Sequence, residues 1–449
     1  MAIANVNQGT VSAPSTNQTN MGAMAMVTTL FFMWGFITAL NDVLIPKLQD
    51  IFHLNYATAM LVQFFFFLAY FVFALPSGKL VEWIGYKKTM VTGLITMGVG
   101  ALLFVPAANV PSFPFFLLGF AVLATGMTAL QVSANPYVSV LGPARTASSR
   151  LNLTQGFNSL GTTIAPYLGG ILILRTAASL GTFQQKTPDQ VKQLSGPDLS
   201  AYMAALHTYQ LQLADKLKVP YMGIALALIL LGLAIAIYKL PRIEATQDFR
   251  PGAGGVDDSI WKYRHTVLGA LGIFTYVGAE VAIGSFLVKY FLAPYIGPHV
   301  GIQTAEAAAK VVSLYWGGAM VGRFVGSAVL QKLRSNTVLG YSAIVAAVLV
   351  CTSMLSGGYL ALVTIILVGF FNSTMFPSIF TLGIAELGPM TGKGSGLLIA
   401  SILGGAIIPL VQGVIADRIG IHHAFILPVL CYAYIAFYGF SGSKPMRTA

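Results

Sequence analysis

Apolar runs of about 20 or more residues, broken by Gly, Pro or charge, recur along the whole chain. They fall near 24–48, 56–82, 86–107, 112–141, 150–175 and 219–240, then near 264–293, 306–331, 336–356, 359–387, 391–416 and 422–441. Each can cross a hydrocarbon core of roughly 30 Å as an α-helix, which closes its own backbone hydrogen bonds. The pattern predicts an all-α membrane protein with twelve transmembrane helices. Two stretches stand apart from it. KLPRIEATQDFRPGAGGVDDSIWKYRH, residues 239–265, is rich in both signs of charge and holds no apolar run. It reads as a cytoplasmic linker, 241–263, between six-helix bundles at 1–240 and 264–449. The polar stretch 176–218 contains LSAYMAALHTYQLQLADKLK; a solvated loop is the favoured reading, with an amphipathic surface helix as the alternative.

Composition agrees with that class: 56% of 449 residues are hydrophobic and 9% charged, against roughly a quarter charged in a soluble chain. The net charge of +11 is largely a topology signal. Lys87, Lys88, Arg145, Arg150, Lys332, Arg334 and Lys393 follow even-numbered spans, whereas loops after odd-numbered spans hold little beyond Arg418. Basic short loops face the cytoplasm, so both termini are expected inside, in a bacterial inner membrane, and nucleic acid is not an expected partner. The first twenty residues carry no basic cluster of the signal-peptide kind, so insertion is expected to begin at the first span. Cys351 and Cys431 fall inside spans and suggest neither disulfide nor metal site.

The chain also repeats itself. GKLV at 78–81 matches GRFV at 322–325, Pro136 with Leu141-Gly142 matches Pro377 with Leu382-Gly383, and Gly161 with Pro166 matches Gly404 with Pro409. Three landmarks at nearly one offset point to two parallel six-helix copies, an architecture many secondary transporters share. The matched prolines read as helix benders.

Polar residues inside the spans supply the candidate chemistry. Asp42 sits in FFMWGFITALNDVLIPKL, beside Asn41, with Thr38 and Trp34 at i−4 and i−8 on its face. A charge at the bilayer centre costs about 2.5 to 3.5 kcal/mol on insertion scales. Asp42 therefore either fixes packing, through a cap or an ion pair with Lys47, or binds and releases a proton, since burial favours a neutral carboxyl. Glu280, in YVGAEVAIG, is the other acid well inside a span; it is either a second proton site or a packing acid satisfied by a close neighbour in a Gly-rich helix. The six histidines fall at loop edges. Asn152, Gln155 and Asn158 form a stripe with Ser159 on the fifth span, and Gln131 and Asn135 an i, i+4 pair on the fourth. Asn372 and Gln412 are their counterparts in the second half. Buried amides both donate and accept, which suits a polyol, although membrane helices also use amides as glue. Trp34, Tyr276 and Trp316 offer flat faces for a pyranose ring. No HExxH or GxSxG constellation lies in a span, so an enzyme is not expected.

The loop GKLVEWIGYKK, with Gly78, Glu82, Gly85, Lys87 and Lys88, resembles the signature between the second and third helices of the major facilitator superfamily, with a gating role that extends by the repeat to Arg323. A weaker echo begins at Gly413. Together with WGFITALNDVLIPKL, ANPYVSVLGP, RLNLTQGFNSLG, YVGAEVAIGSFL and MFPSIFTLGIAELG, it resembles the fucose:proton symporter family, nearest its glucose/galactose transporter branch. The resemblance spans about residues 28–440. It implies the two-bundle fold, a sugar substrate, a proton-coupling role at Asp42, Gln155 and Asn158 lining the central cavity, and a monomer in the bilayer. Fucose-transporting members carry glutamate where this chain has Gln131 and glutamine where it has Glu280, so the acid has changed helices. No cofactor is expected. The coupling ion is expected to be a proton, with sodium the rival; glucose and galactose are expected ahead of fucose and mannose, and an exporter of other small molecules is the remaining reading within the fold.

Overall fold

The computed structural model describes residues 20–52, 61–169, 186, 188–241 and 259–445, and among these it contains helices and no strand. Over the described residues each of the twelve expected spans overlaps a helix. The first is Met21–Phe52. The second and third merge in Leu61–Leu102, interrupted at Gly85, whose φ of 82° lies in the left-handed region that glycine adopts without strain. The fourth is Phe113–Val140, the fifth Ala147–Gly169, and the sixth the second half of Gly196–Ile237. Then come Arg264–Phe291, Ala305–Lys332 and Ser335–Leu355. The tenth comprises Gly358–Asn372 and Met375–Gly383, the eleventh Thr391–Ala400 and Gly404–Ile419, the twelfth Ile421–Ala424 and Ile426–Phe437.

Nine helical stretches among the described residues are long and apolar enough to cross a membrane; one of them, 64–109, holds both the second and third spans. The fifth and eighth helices have the length but not the apolarity. ASSRLNLTQGFNSLG in one and an arginine midway along the other dilute their hydropathy. These two helices pack against each other, so each hides its polar stripe from lipid on the other.

The structure corrects the reading of 176–218 as a solvated loop. Residues 196–219 are helical and continue into the sixth span, with Pro220 inside a single 42-residue helix. At 1.5 Å per residue it runs for about 63 Å, roughly twice the hydrocarbon core, so its first half stands clear of the membrane. Leu213, Ala214 and Leu217 are buried where it meets the short helix Phe104–Asn109, and Phe104 stacks on Tyr221 with ring centroids 4.1 Å apart. That apolar seam carries the helix past the bilayer edge.

The prolines act where the missing N–H leaves a carbonyl four residues earlier without its partner. Pro377 frees the carbonyl of Ser373, and the tenth span breaks at Ser373 and Thr374. Pro136 frees that of Val132, and the Ser395 hydroxyl of the eleventh span donates to it at 2.9 Å. Pro409 follows a 3-10 turn at Ser401–Leu403. The side chain of Pro166 lies outside the described residues.

The first span packs on the fifth and the seventh on the eleventh. Here the repeat is visible in atomic detail. A side chain at Gly161 would run into the carbonyl of Phe32, and one at Gly404 into the carbonyl of Phe274. Contact between the first six helices and the last six runs through the fifth and eighth spans and through the second and fourth against the eleventh. It concentrates at the end bearing the basic loops. Ser149 donates to the Ser327 carbonyl at 2.7 Å, Ser335 to Ser148 at 2.7 Å, and Ser148 also meets Thr381. Toward the other end the last hydrogen bond across the halves, among the described residues, joins the Thr163 hydroxyl to the Met320 sulfur at 3.6 Å.

Candidate functional site

The loop signature belongs to the closed end. Gly78 and Gly392 approach so closely that a side chain on either would strike the other's carbonyl. The Glu82 carboxylate approaches the backbone N–H of Lys393 and faces the Lys393 and Lys79 ammonium groups. It thus lies in the first turn of Thr391–Ala400, where free N–H groups favour a negative charge. Lys87 donates to the Ala236 carbonyl at 2.8 Å, capping the far end of the sixth span. Lys88 is exposed. Arg150, read as a topology charge, is buried and donates to the carbonyls of Val138 at 3.1 Å and Ser139 at 2.6 Å, closing the end of the fourth helix.

Arg323 does not join this group. It lies midway along the eighth span, and its guanidinium reaches across to the fifth, donating to the Gln155 carbonyl at 3.1 Å and to the Ser159 hydroxyl. Its other terminal nitrogen stands 4.0 Å from Glu280 Oε1 on the seventh span. Asn152 completes the clamp by donating to the Arg323 carbonyl at 2.6 Å. The repeat matched Arg323 to Lys79 of the loop signature, but the side chains have parted company: Lys79 is exposed, whereas Arg323 is 15% exposed and Glu280 12%.

Around this pair the second half supplies tyrosines. The Tyr276 hydroxyl lies beside the Glu280 carboxylate without closing a hydrogen bond of good geometry. Asn372 is fully engaged, donating to the Tyr315 hydroxyl at 2.9 Å and accepting from Tyr432 at 2.7 Å. Gln412 is buried with both amide atoms unpaired, on the helix that packs along the seventh span. Tyr315 and Tyr432 were not marked by the sequence. Trp316, which was, is exposed on its outer edge and packs on Gly284.

In the first half, Gln131 Nε2 donates to the Tyr70 hydroxyl, which the Trp34 indole also reaches. Tyr70 was missed because it sits in the phenylalanine run FFFFLAYF, whose only signal is one hydroxyl among rings. The Gln131 Oε1 atom and both amide atoms of Asn135 are buried and unpaired. Thr38 donates to the Trp34 carbonyl at 2.9 Å and touches the Met127 sulfur at 3.4 Å. Asn158 donates through Nδ2 to the Phe31 carbonyl at 2.9 Å. The side chains of Asn41 and Asp42 lie outside the described residues.

The structure thus brings together two polar groups, Trp34, Tyr70, Gln131 and Asn135 on one side, and Tyr276, Glu280, Arg323 and Gln412 on the other. Buried polar atoms are normally paired. The unpaired ones here are free to pair with a polar solute.

Two six-helix halves of parallel repeat, with such groups between them, define a secondary transporter, and the chain belongs to the major facilitator superfamily, whose family model matches residues 24–182. It is a transporter and not an enzyme. The chain is 46% identical to the glucose/galactose transporter of Brucella abortus over 431 residues, 96% of each chain. It is 33% identical to the L-fucose-proton symporter of Escherichia coli K12, covering 92% of this chain and 91% of that one. A crystal structure of the transporter FucP in the outward conformation superposes with a TM-score of 0.78 at 32% identity, over 93% of this chain and 97% of that chain. The chain therefore sits in the family that contains the glucose/galactose transporters and the fucose:proton symporters.

Proposed function

We propose that the protein imports a hexose, glucose or galactose, by symport with a proton. The observation that carries this reading is the set of unpaired buried atoms on both halves: Gln131 Oε1 and the Asn135 amide on one, the Tyr276 hydroxyl, Glu280 Oε1 and the Gln412 amide on the other. Every hydroxyl of a hexose both donates and accepts, and these groups supply both kinds of partner. Each would lose its desolvation penalty when the sugar arrives. The glucose/galactose transporter of Brucella abortus, at 46% identity, supports hexoses ahead of fucose, as does the exchange of acid for amide at Gln131.

In this reading residues 1–240 and 264–449 rock as two bodies about the site, joined by the linker 241–263, in a bacterial inner membrane with both termini in the cytoplasm. The protein acts as a monomer. The basic-loop end faces the cytoplasm and is held shut by Ser148, Ser149, Ser327 and Ser335, so the site opens outward. Asp42 binds the coupling proton; neutralising it removes the cost of enclosing a charge when the outer gate closes. Sugar and proton bias the same equilibrium, and release of both to the cytoplasm resets it.

Counterflow of labelled glucose, galactose and fucose in proteoliposomes tests the substrate. We expect exchange of glucose and galactose, with fucose weaker. Exchange of fucose alone, or of no monosaccharide, would overturn the assignment. Repeating uptake under separate proton and sodium gradients identifies the ion.

A further inference from the structure

Glu280 and Arg323 are two largely buried charges, and their arrangement bears on which group carries the ion. An arginine guanidinium does not release its proton in a protein. That of Arg323 is held from the fifth span by the Gln155 carbonyl and the Ser159 hydroxyl, so it cannot retreat to water without breaking both bonds. Among the described residues, Glu280 is the carboxylate within 4.0 Å of it. The other ionisable groups facing Glu280 are the hydroxyls of Tyr276, Tyr315 and Tyr432, neutral in the physiological range.

Charge counting then separates the two acids. Binding a proton to a lone carboxylate removes a net charge from the closed site. Binding one to Glu280 would create a net charge, because Arg323 would be left as an uncompensated cation inside the membrane. A carrier group works by the first kind of change and not the second. The pair also falls short of a closed salt bridge. At 4.0 Å no hydrogen bond forms, and Glu280 Oε1, Arg323 Nε and the Tyr276 hydroxyl are all buried and unpaired. One strong acceptor flanked by two donors is complementary to adjacent hydroxyls of a sugar, and hydrogen bonds to a charged acceptor are the stronger kind.

We propose that Glu280 stays ionised through the cycle as the acceptor for sugar hydroxyls, and that Arg323 is the positioning residue whose fixed positive charge keeps it so. The coupling ion is then carried in the first half. This rests on the hexose-symport reading above, and it is tested in proteoliposomes of the full chain with labelled galactose and glucose.

Glu280→Gln weakens sugar affinity about tenfold or more and slows transport by leaving Arg323 uncompensated, yet keeps the wild-type ratio of ion to sugar. Arg323→Gln strips Glu280 of its countercharge, so exchange acquires a second pH dependence on top of that of the wild type, with the faster limb at low pH. The double variant E280Q/R323Q restores charge balance; its pH profile and ion-to-sugar ratio return to wild type while affinity stays weak. Arg323→Lys keeps the cation and the wild-type profile, and serves where the neutral variants fail to fold. Two results would overturn the proposal. One is net sugar uptake without ion movement in E280Q or the double variant; the other is an ion-to-sugar ratio for net uptake in Arg323→Lys that falls below that of the wild type. A wild-type protein that exchanges no hexose would instead sink the transport reading itself.

Discussion

The two halves share a scaffold and differ in what they place on it. Gly161 lets the fifth span ride on the Phe32 carbonyl, and Gly404 lets the eleventh ride on that of Phe274; this close helix contact is copied in both halves. The polar contents are not copied. The described first-half site is uncharged: an indole, a phenol and two amides. The second half holds an ion pair and a tyrosine–asparagine–tyrosine chain, Tyr315, Asn372 and Tyr432. The repeat keeps the backbone packing, and the proposed function assigns recognition and coupling to the side chains in which the halves differ.

The largest effects test the shared scaffold. Gly161→Val and Gly404→Val both drive a side chain into a neighbouring backbone, and overpacking of this kind costs about 1 to 3 kcal/mol or more. We expect both to cut the yield of folded protein in a thermal-unfolding assay in detergent. A tolerated substitution at only one site would break the equivalence.

The next effects separate the contents. Gln131→Ala removes a partner of Tyr70 and a sugar-facing carbonyl, and should raise the half-saturating hexose concentration about tenfold, as befits one or two hydrogen bonds. Tyr70→Phe should weaken it less. Tyr432→Phe, by contrast, loses one internal hydrogen bond to Asn372 worth about 1 kcal/mol. Stability should fall while sugar affinity holds, and a large affinity change would move the tyrosine chain into the binding surface. Smallest of all is Ser395→Ala, which leaves the Val132 carbonyl freed by Pro136 without its donor. A shift of at most about 1 kcal/mol toward opening of the basic-loop end is expected, read as faster labelling of a cysteine placed there.

Much of this was legible in the chain. Apolar periodicity placed the helices that the described residues show, and glycine and proline spacing exposed the repeat because both residues mark backbone events that packing must copy. What a side chain meets was less legible. Arg323 was aligned with Lys79 in the loop signature, since the repeat fixes the backbone position but not which way a long side chain reaches. Tyr70 and Tyr315 were hidden in aromatic runs, where a ring that packs and a ring that hydrogen-bonds look the same. Residues 196–219 were favoured as a loop because nothing in a polar, amphipathic stretch says that Phe104 and Tyr221 will stack to extend the helix beyond the bilayer.

The most direct test of the account is sugar accumulation in proteoliposomes under an imposed proton gradient, comparing the wild type with Asp42→Asn. We predict that the wild type concentrates glucose or galactose under a proton gradient and not under a sodium gradient of equal size. The variant should lose accumulation but still exchange sugar across the membrane. Undiminished accumulation by Asp42→Asn would contradict the account.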